Sequence, residues 1–476
     1  SLLIPEFINF ETYYTRRCIL MKFCPRPPSA IALPCLCLAV LFSACTAPGD
    51  SGADAAGVSS GGTTSREAAS SADPAVPVAT GFVNLTRDQY SVLGCGSEQG
   101  YYEICYDESN QANIYYIDYA TRQEVYLCAA PNCSHDREGC TSWIDPEEGS
   151  YFPLVSGEHL LLVHITYGVE APQRAIPHID AANLDGSDRR TLVSFAANER
   201  LKTVFAANGS QLVCALDEVN PDDLEDTNAT LKLVLIDLET GARTDFYEQP
   251  VEIGGTEPTF LGVTDNGYCV LRERFTANSE TDFPGQEWSD VVEEIQRSTQ
   301  YTCTMIPVGS AQPAGTFSYS GRVYDLLCGD GLYYLDCDTR KVTRISLPDA
   351  TAAELATLPD VGAQSAYLDG KLGDWFLLSQ RYYETRSDVS YPVANDCCYA
   401  VNVQTGELRE LTIRQEVGAD RRMATMLGQT AADVLLITDS DVPETAAHYG
   451  YRYALISRED YLSSNADALR PVSFLF

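Results

Sequence analysis

Positive charge is scarce in this sequence. Its 476 residues carry 32 Lys and Arg against 67 Asp and Glu, a formal net charge of −35. That balance argues against nucleic acid as a partner, because binding a phosphate backbone needs a basic face. It fits an extracellular surface kept soluble and monomeric by self-repulsion. Long apolar runs are also lacking. The best, Ala30 to Ser43, reads "AIALPCLCLAVLFS" and is shorter than the roughly 20 residues needed to span a bilayer. Helical periodicity is sparse. The clearest case is "EWSDVVEEIQRST", Glu287 to Thr299, where Trp288, Val291, Val292 and Ile295 share one face. It reads as a helical insertion that packs on the body. The one Gly-x-Ser-x-Gly match, Gly57 to Gly61, falls in a Gly/Ser-rich stretch and none occurs in residues 81–476, and only five histidines are present.

What is there begins with an address. Residues 1–20 lack an initiator Met and read as an over-extended start. Residues 21–44 have a basic lead, a short apolar core and small residues at the end, the layout of a secretory signal. The end, Leu41-Phe42-Ser43-Ala44-Cys45, resembles the bacterial lipobox, with Phe42 departing from the usual Leu. This predicts lipidation of Cys45; the alternative is an ordinary cut near Ala44 with Cys45 incidental. Residues 45–80 are small, polar and rich in Gly, Ser, Ala and Pro, with no aromatic residue. Such a segment buries no core and reads as a disordered linker reaching about 30 Å. The expected location is extracytoplasmic, anchored by lipid to the outer face of the cell membrane.

The body, residues 81–476, repeats itself. "YYIDYATRQEVYL" from Tyr115, "VLIDLETGARTDF" from Val234, "YYLDCDTRKVTRI" from Tyr333 and "YAVNVQTGELREL" from Tyr399 align, and "AANLDGSDRRTLV" from Ala181 is a looser copy. In each, Asp or Asn starts a tight turn by bonding the backbone ahead, and Gly accepts a left-handed conformation after it. Arg122 and Arg340 replace that Gly in two copies. A second family of bends precedes these, as in "VSGEHLLLV", "ANGSQLVCAL", "TDNGYCVL", "CGDGLYYL" and "LGDWFLL". Four short strands per unit of about 50 residues predict an all-β chain folded as a β-propeller. Seven blades are expected, with six or eight as alternatives. The units centre on 85–128, 151–195, 202–248, 258–319, 321–347, 364–413 and 422–476. The fifth is short enough to lack a strand, and the terminal "PVSFLF" is placed to close the ring beside an N-terminal strand.

One element carries metal-type chemistry: "CAAPNCSHDREGC", with Cys128, Cys133, His135 and Cys140. Three thiolates and an imidazole make a closed tetrahedral set for structural zinc. Export equally allows a disulfide among the three cysteines. A reactive Cys133 beside His135 is a third reading, without an evident orienting acid. The element lies in the connection from blade one to blade two, where a clip would order a segment that has no core of its own. His159, His164 and His178 fall on strands of the second unit and read as ordinary packed or surface histidines. The acidic clusters Asn220–Asn228 and Thr438–Thr445 lack a full calcium loop and read as solvated loops.

The lipobox-like end, the tether, the "NLDGS" turn and the LCxxPxCxHxxxxC element together resemble the TolB-like β-propeller lipoproteins of anaerobic Gram-positive bacteria. The resemblance implies a secreted propeller and carries over no catalytic residue. The repeated Ser-x-Asp-x-Gly-x-Thr-Trp boxes of sialidase-like propellers are absent, and Trp143, Trp288 and Trp375 are out of phase with the turns, unlike in quinone-dependent dehydrogenases. The expected function is non-enzymatic binding of a ligand or envelope protein through the central face. The alternatives are a carbohydrate-active hydrolase using central carboxylates and an envelope-complex scaffold. Inward acids around a deep axial pocket would favour the hydrolase; a flat or plugged axis would favour binding.

Overall fold

A computed structural model of the protein describes residues 81–86, 94–106, 112–145, 150–165, 176–220, 228–252, 258–278, 282–286, 288–440 and 451–474. The signal segment, Cys45 and the linker lie outside these residues, as do 221–227 and 441–445 of the two acidic clusters.

The second strands explain the architecture. "HLLLVHI", "QLVCALDEV" and "WFLLSQRYYE" begin as continuous apolar runs whose residues are buried on both faces. A strand of that kind must lie within a sheet that is itself covered on both sides. Among the described residues, the strands form seven four-stranded antiparallel units at 94–126, 150–194, 199–252, 259–320, 323–357, 365–411 and 425–471. The inner strands of units 1 and 2 meet, as do those of units 3 to 7 in succession, and that of the seventh meets that of the first. Ser156 Oγ accepts from the Gly209 N–H between the second and third units, at 3.1 Å. The ring is a β-propeller with its apolar core packed between blades: Phe152 of blade 2 against Phe205 of blade 3, and Tyr333 of blade 5 stacked on Phe376 of blade 6 at 4.6 Å.

The repeated turns are the bends between third and fourth strands. Asp118, Asp237, Asp336 and Asn402 each accept, through one side-chain oxygen, the N–H three residues on. Their carbonyls accept from Arg122, Gly241, Arg340 and Gly406. Those four residues have φ of 58°, 71°, 60° and 72°. Arginine therefore adopts the same left-handed conformation that glycine adopts elsewhere. The reason glycine is retained at 241 and 406 lies next door: a Cβ there would sit 2.1 Å from the Leu192 carbonyl oxygen and 2.5 Å from that of Leu355.

Four features differ from expectation. Blade 5 has all four strands, because Thr351–Thr357 pairs with Lys341–Ser346 beyond the expected end of the unit. Blades 6 and 7 are joined by an additional hairpin, Arg414–Val417 with Asp420–Met423, which bridges Asn395 of one to Asp439 of the other. Short strands such as these carry too little apolar pattern to register as units. The C-terminal segment Ser473–Phe474 pairs in parallel with Gln123–Tyr126, the outer strand of blade 1. The N-terminal strand Val83–Asn84 takes no part in that closure; it pairs antiparallel with the inner strand of blade 3. The helix Trp288–Arg297 lies within blade 4, between its second and third strands, with Val291 and Ile295 buried.

Residues 81–86 run along the inner edges of three blades. Leu85 N–H donates to the Phe205 carbonyl, and Phe205 N–H to Thr86 Oγ1. Asn84 Oδ1 accepts from Val263 of blade 4, while its amide nitrogen reaches the Leu327 carbonyl of blade 5 at 3.5 Å. Gly262 makes room for it, since a Cβ there would lie 2.3 Å from Asn84 Oδ1.

Candidate metal centre

The connection leaving blade 1 at Tyr126 is built from tight turns. Cys133 N–H bonds the Ala130 carbonyl, Cys140 that of Arg137, and Trp143 that of Cys140. Asn132 and His135 take φ of 58° and 56°, and Gly139 takes 89°. A non-glycine residue such as His135 holds a left-handed backbone where its surroundings fix it. The turns bring Cys128, Cys133, His135 and Cys140 together, with all four ligand atoms within 4.8 Å of one another.

The geometry fits a small tetrahedral cation. Zn–S of about 2.3 Å and Zn–N of about 2.0 Å place neighbouring S and N ligands about 3.5 Å apart in a tetrahedron. His135 Nδ1 lies 3.4 Å from Cys140 Sγ. Backbone N–H groups also point at sulfur: that of Ala130 at Cys128 and that of His135 at Cys133. Such bonds stabilise the anionic thiolate that a metal requires. For Cys128, burial raises the thiol, but the Ala130 N–H and bonds with Cys140, Cys133 and Thr141 outweigh it and hold it below its ordinary range. At Cys133 the His135 N–H lowers the thiol, but desolvation and the neighbouring Cys140 and Cys128 leave it raised. Desolvation lowers the His135 imidazole despite Asp136 nearby, favouring the neutral ring that ligates metals.

A supporting shell orients the ligands. Tyr126 stacks on the His135 ring at 4.1 Å and 15°. Ser142, fully buried, places Oγ 3.2 Å from Cys140 Sγ and donates to Asn113 Oδ1 at 3.0 Å. Blade 2 closes over the far side. Arg189 donates to the carbonyls of Trp143 and Thr141 at 3.0 and 2.8 Å, and Gly186 of the "NLDGS" turn abuts Thr141. The sequence shows the four ligands; it does not mark Tyr126, Ser142, Asn113 or Arg189, whose roles depend on contacts across strands.

Among the described residues none of the twelve body cysteines is joined in a disulfide, the three of this cluster included. Cys214, Cys269 and Cys303 are fully buried within strands, and burial pushes their thiols well up, those of Cys214 and Cys303 to about 12. The blade 2 histidines also meet: His164 stacks on His178 at 4.8 Å, and Tyr151 Oη lies 2.9 Å from His178 Nε2. His159, on the same strand as His164, does not belong to this group.

No protein-family model matches the chain, and no curated protein matches it. Among solved structures, it is similar to oligogalacturonate lyase from Vibrio parahaemolyticus, at 9% identity over 75% of this chain and 88% of that one, with a TM-score of 0.40. It is similar to the β-propeller domain of the Trilobed protease from Pyrococcus furiosus, at 13% identity over 67% and 83%, with a TM-score of 0.37. A third is Pyrococcus horikoshii acylaminoacyl peptidase, at 14% identity over 67% and 45%, with a TM-score of 0.38. The chain spans under half the length of that peptidase. No activity follows from these likenesses; the propeller assignment rests on the sheet topology above.

Proposed function

We propose that this protein is a lipid-anchored, surface-displayed β-propeller that binds a ligand or envelope partner without catalysis, its first inter-blade connection clipped by a structural zinc ion. The observation that carries the binding reading is the path of residues 81–86. This segment contacts the inner edges of blades 3, 4 and 5, where a hydrolase of this fold would need open space between facing carboxylates.

The two ends of the ring also differ. In each blade the inner strand starts, the second ends and the third starts at the same end. Ile176, Phe275, Tyr324, Tyr383 and Tyr391 are exposed there, five of the seven large exposed hydrophobic residues among those described. Polar pairs sit beside them: Arg272 with Asp325, and Arg381 with Asp396 under the Tyr367 ring. The opposite end consists of tight turns, and Gly81 joins the ring there through its bond to Asp265. A cluster of exposed aromatic residues is a usual mark of a recognition surface.

Titration of the purified protein against defined oligosaccharide and peptide libraries tests the reading. Saturable binding lost in Tyr383→Ala, with no product formed, supports it. Turnover of a glycan that one acidic-residue substitution abolishes contradicts it. The anchor is tested separately: Cys45→Ser should move the protein from the membrane fraction to the medium.

A further inference from the structure

The ring closes between blades 7 and 1, and a pair of acids lies beneath that closure. Glu103 is on the second strand of blade 1 and Glu124 on its outer strand. Both are buried, at 6% and 1% exposure. Glu103 Oε1 and both carboxyl oxygens of Glu124 are buried, and the two side chains lie within interaction range of each other. Two carboxylates are both acceptors, so a hydrogen bond between them requires one to carry a proton. Tyr453, from the third strand of blade 7, donates to Glu103 Oε2 at 2.9 Å across the seam. Glu124 also pairs through its backbone with Phe474 of the closing segment. The apolar wall around the pair comes from both blades: Tyr101 and Ile117 of blade 1, and Leu435, Ile437 and Leu455 of blade 7.

The titratable groups facing the pair are Cys105, Tyr101 and Tyr115 of blade 1 and Tyr453 of blade 7. None is a base at neutral pH. Burial holds both carboxyls above their ordinary range; the neighbouring Glu103 raises Glu124 further, to about 9, whereas Glu124 and Tyr453 pull Glu103 only part of the way back.

We propose that the Glu103–Glu124 pair is a proton-held latch on the ring seam, closed while the pair keeps its proton and loosened when that proton passes to water. The sign follows from linkage. An acid that holds its proton more tightly when folded contributes stability that is complete below its unfolded value, near 4.5, and is lost as pH rises toward 9. Within that window, losing one proton on opening raises the opening equilibrium up to about tenfold per pH unit.

Native-state hydrogen exchange at Ser473 tests this, because its N–H bonds the Arg122 carbonyl of blade 1 across the seam. Protection factors, corrected for intrinsic base catalysis, should fall up to about tenfold per pH unit between about pH 5 and about pH 8. Glu124→Gln keeps the size and can donate a hydrogen bond to Glu103 but cannot titrate, and should flatten the profile. Should Glu124→Gln disrupt the seam outright, Glu103→Gln serves as the second variant with the same expected flattening. A flat wild-type profile, or an unchanged slope in both variants, overturns the latch.

Discussion

Gly186 of blade 2 lies against Thr141 of the preceding connection, and a Cβ on it would sit 2.9 Å from the Thr141 carbonyl oxygen. The "NLDGS" turn is thus a docking element as well as a bend, seated on the exit of the four-ligand cluster. Its φ of 79° adds a second barrier to any side chain. Gly186→Ala should destabilise the protein by about 2 kcal/mol, read by urea denaturation. It should also speed the reaction of the Cys128 and Cys133 thiols with a thiol reagent in metal-free protein.

The buried pair Arg381–Asp396 gives a second expectation. The two make a bidentate bond at 2.7 and 2.9 Å, with side chains 6% and 1% exposed. Asp396 also accepts from Met423 N–H of the additional hairpin at 2.7 Å. Asp396→Asn leaves a buried guanidinium without its counter-charge and should cost about 3–5 kcal/mol. The hairpin Arg414–Met423 should lose exchange protection first.

The retained glycines separate from the replaceable ones. Gly241→Ala drives a Cβ into the Leu192 carbonyl and should cost about 2–3 kcal/mol. Arg340→Gly relieves a left-handed arginine but frees the unfolded chain, so it should change stability by under about 1 kcal/mol. Thermal melts of the two variants provide the comparison.

The acid limb of stability has a sign opposite to that of the seam. Burial raises the Glu199 carboxyl, but two bonds from Arg243 and one from the Ala196 N–H outweigh it and hold it low. Its contribution is therefore present above the ordinary glutamate range and lost as pH falls through the lowered value. Glu199→Gln should lower stability at neutral pH and flatten part of the loss below about pH 4, measured by denaturant titration across pH.

Much of this architecture was legible because propeller blades are local. Asp118, Asp237, Asp336 and Asn402 announce their turns through side chains that bond the backbone three residues on, and the four ligands lie within one short connection. What was not legible depends on distant parts of the chain. Val83 and Asn84 pair with Ala207 and Ala206, and nothing in "GFVNLT" specifies that partner. The hairpin 414–423 is held by Asp396 and Asp420 rather than by an apolar stripe. Glu103 and Glu124 read as surface acids in an acidic protein; only the packing of blade 7 reveals them as buried.

The central claim is the zinc clip, and elemental analysis of the purified protein with thiol counting before and after denaturation tests it most directly. The account predicts one zinc per chain, lost in Cys133→Ser, with all twelve body thiols recovered on denaturation in the wild type. Absence of metal, with two thiols missing from the count, would contradict it and assign the cluster to a disulfide.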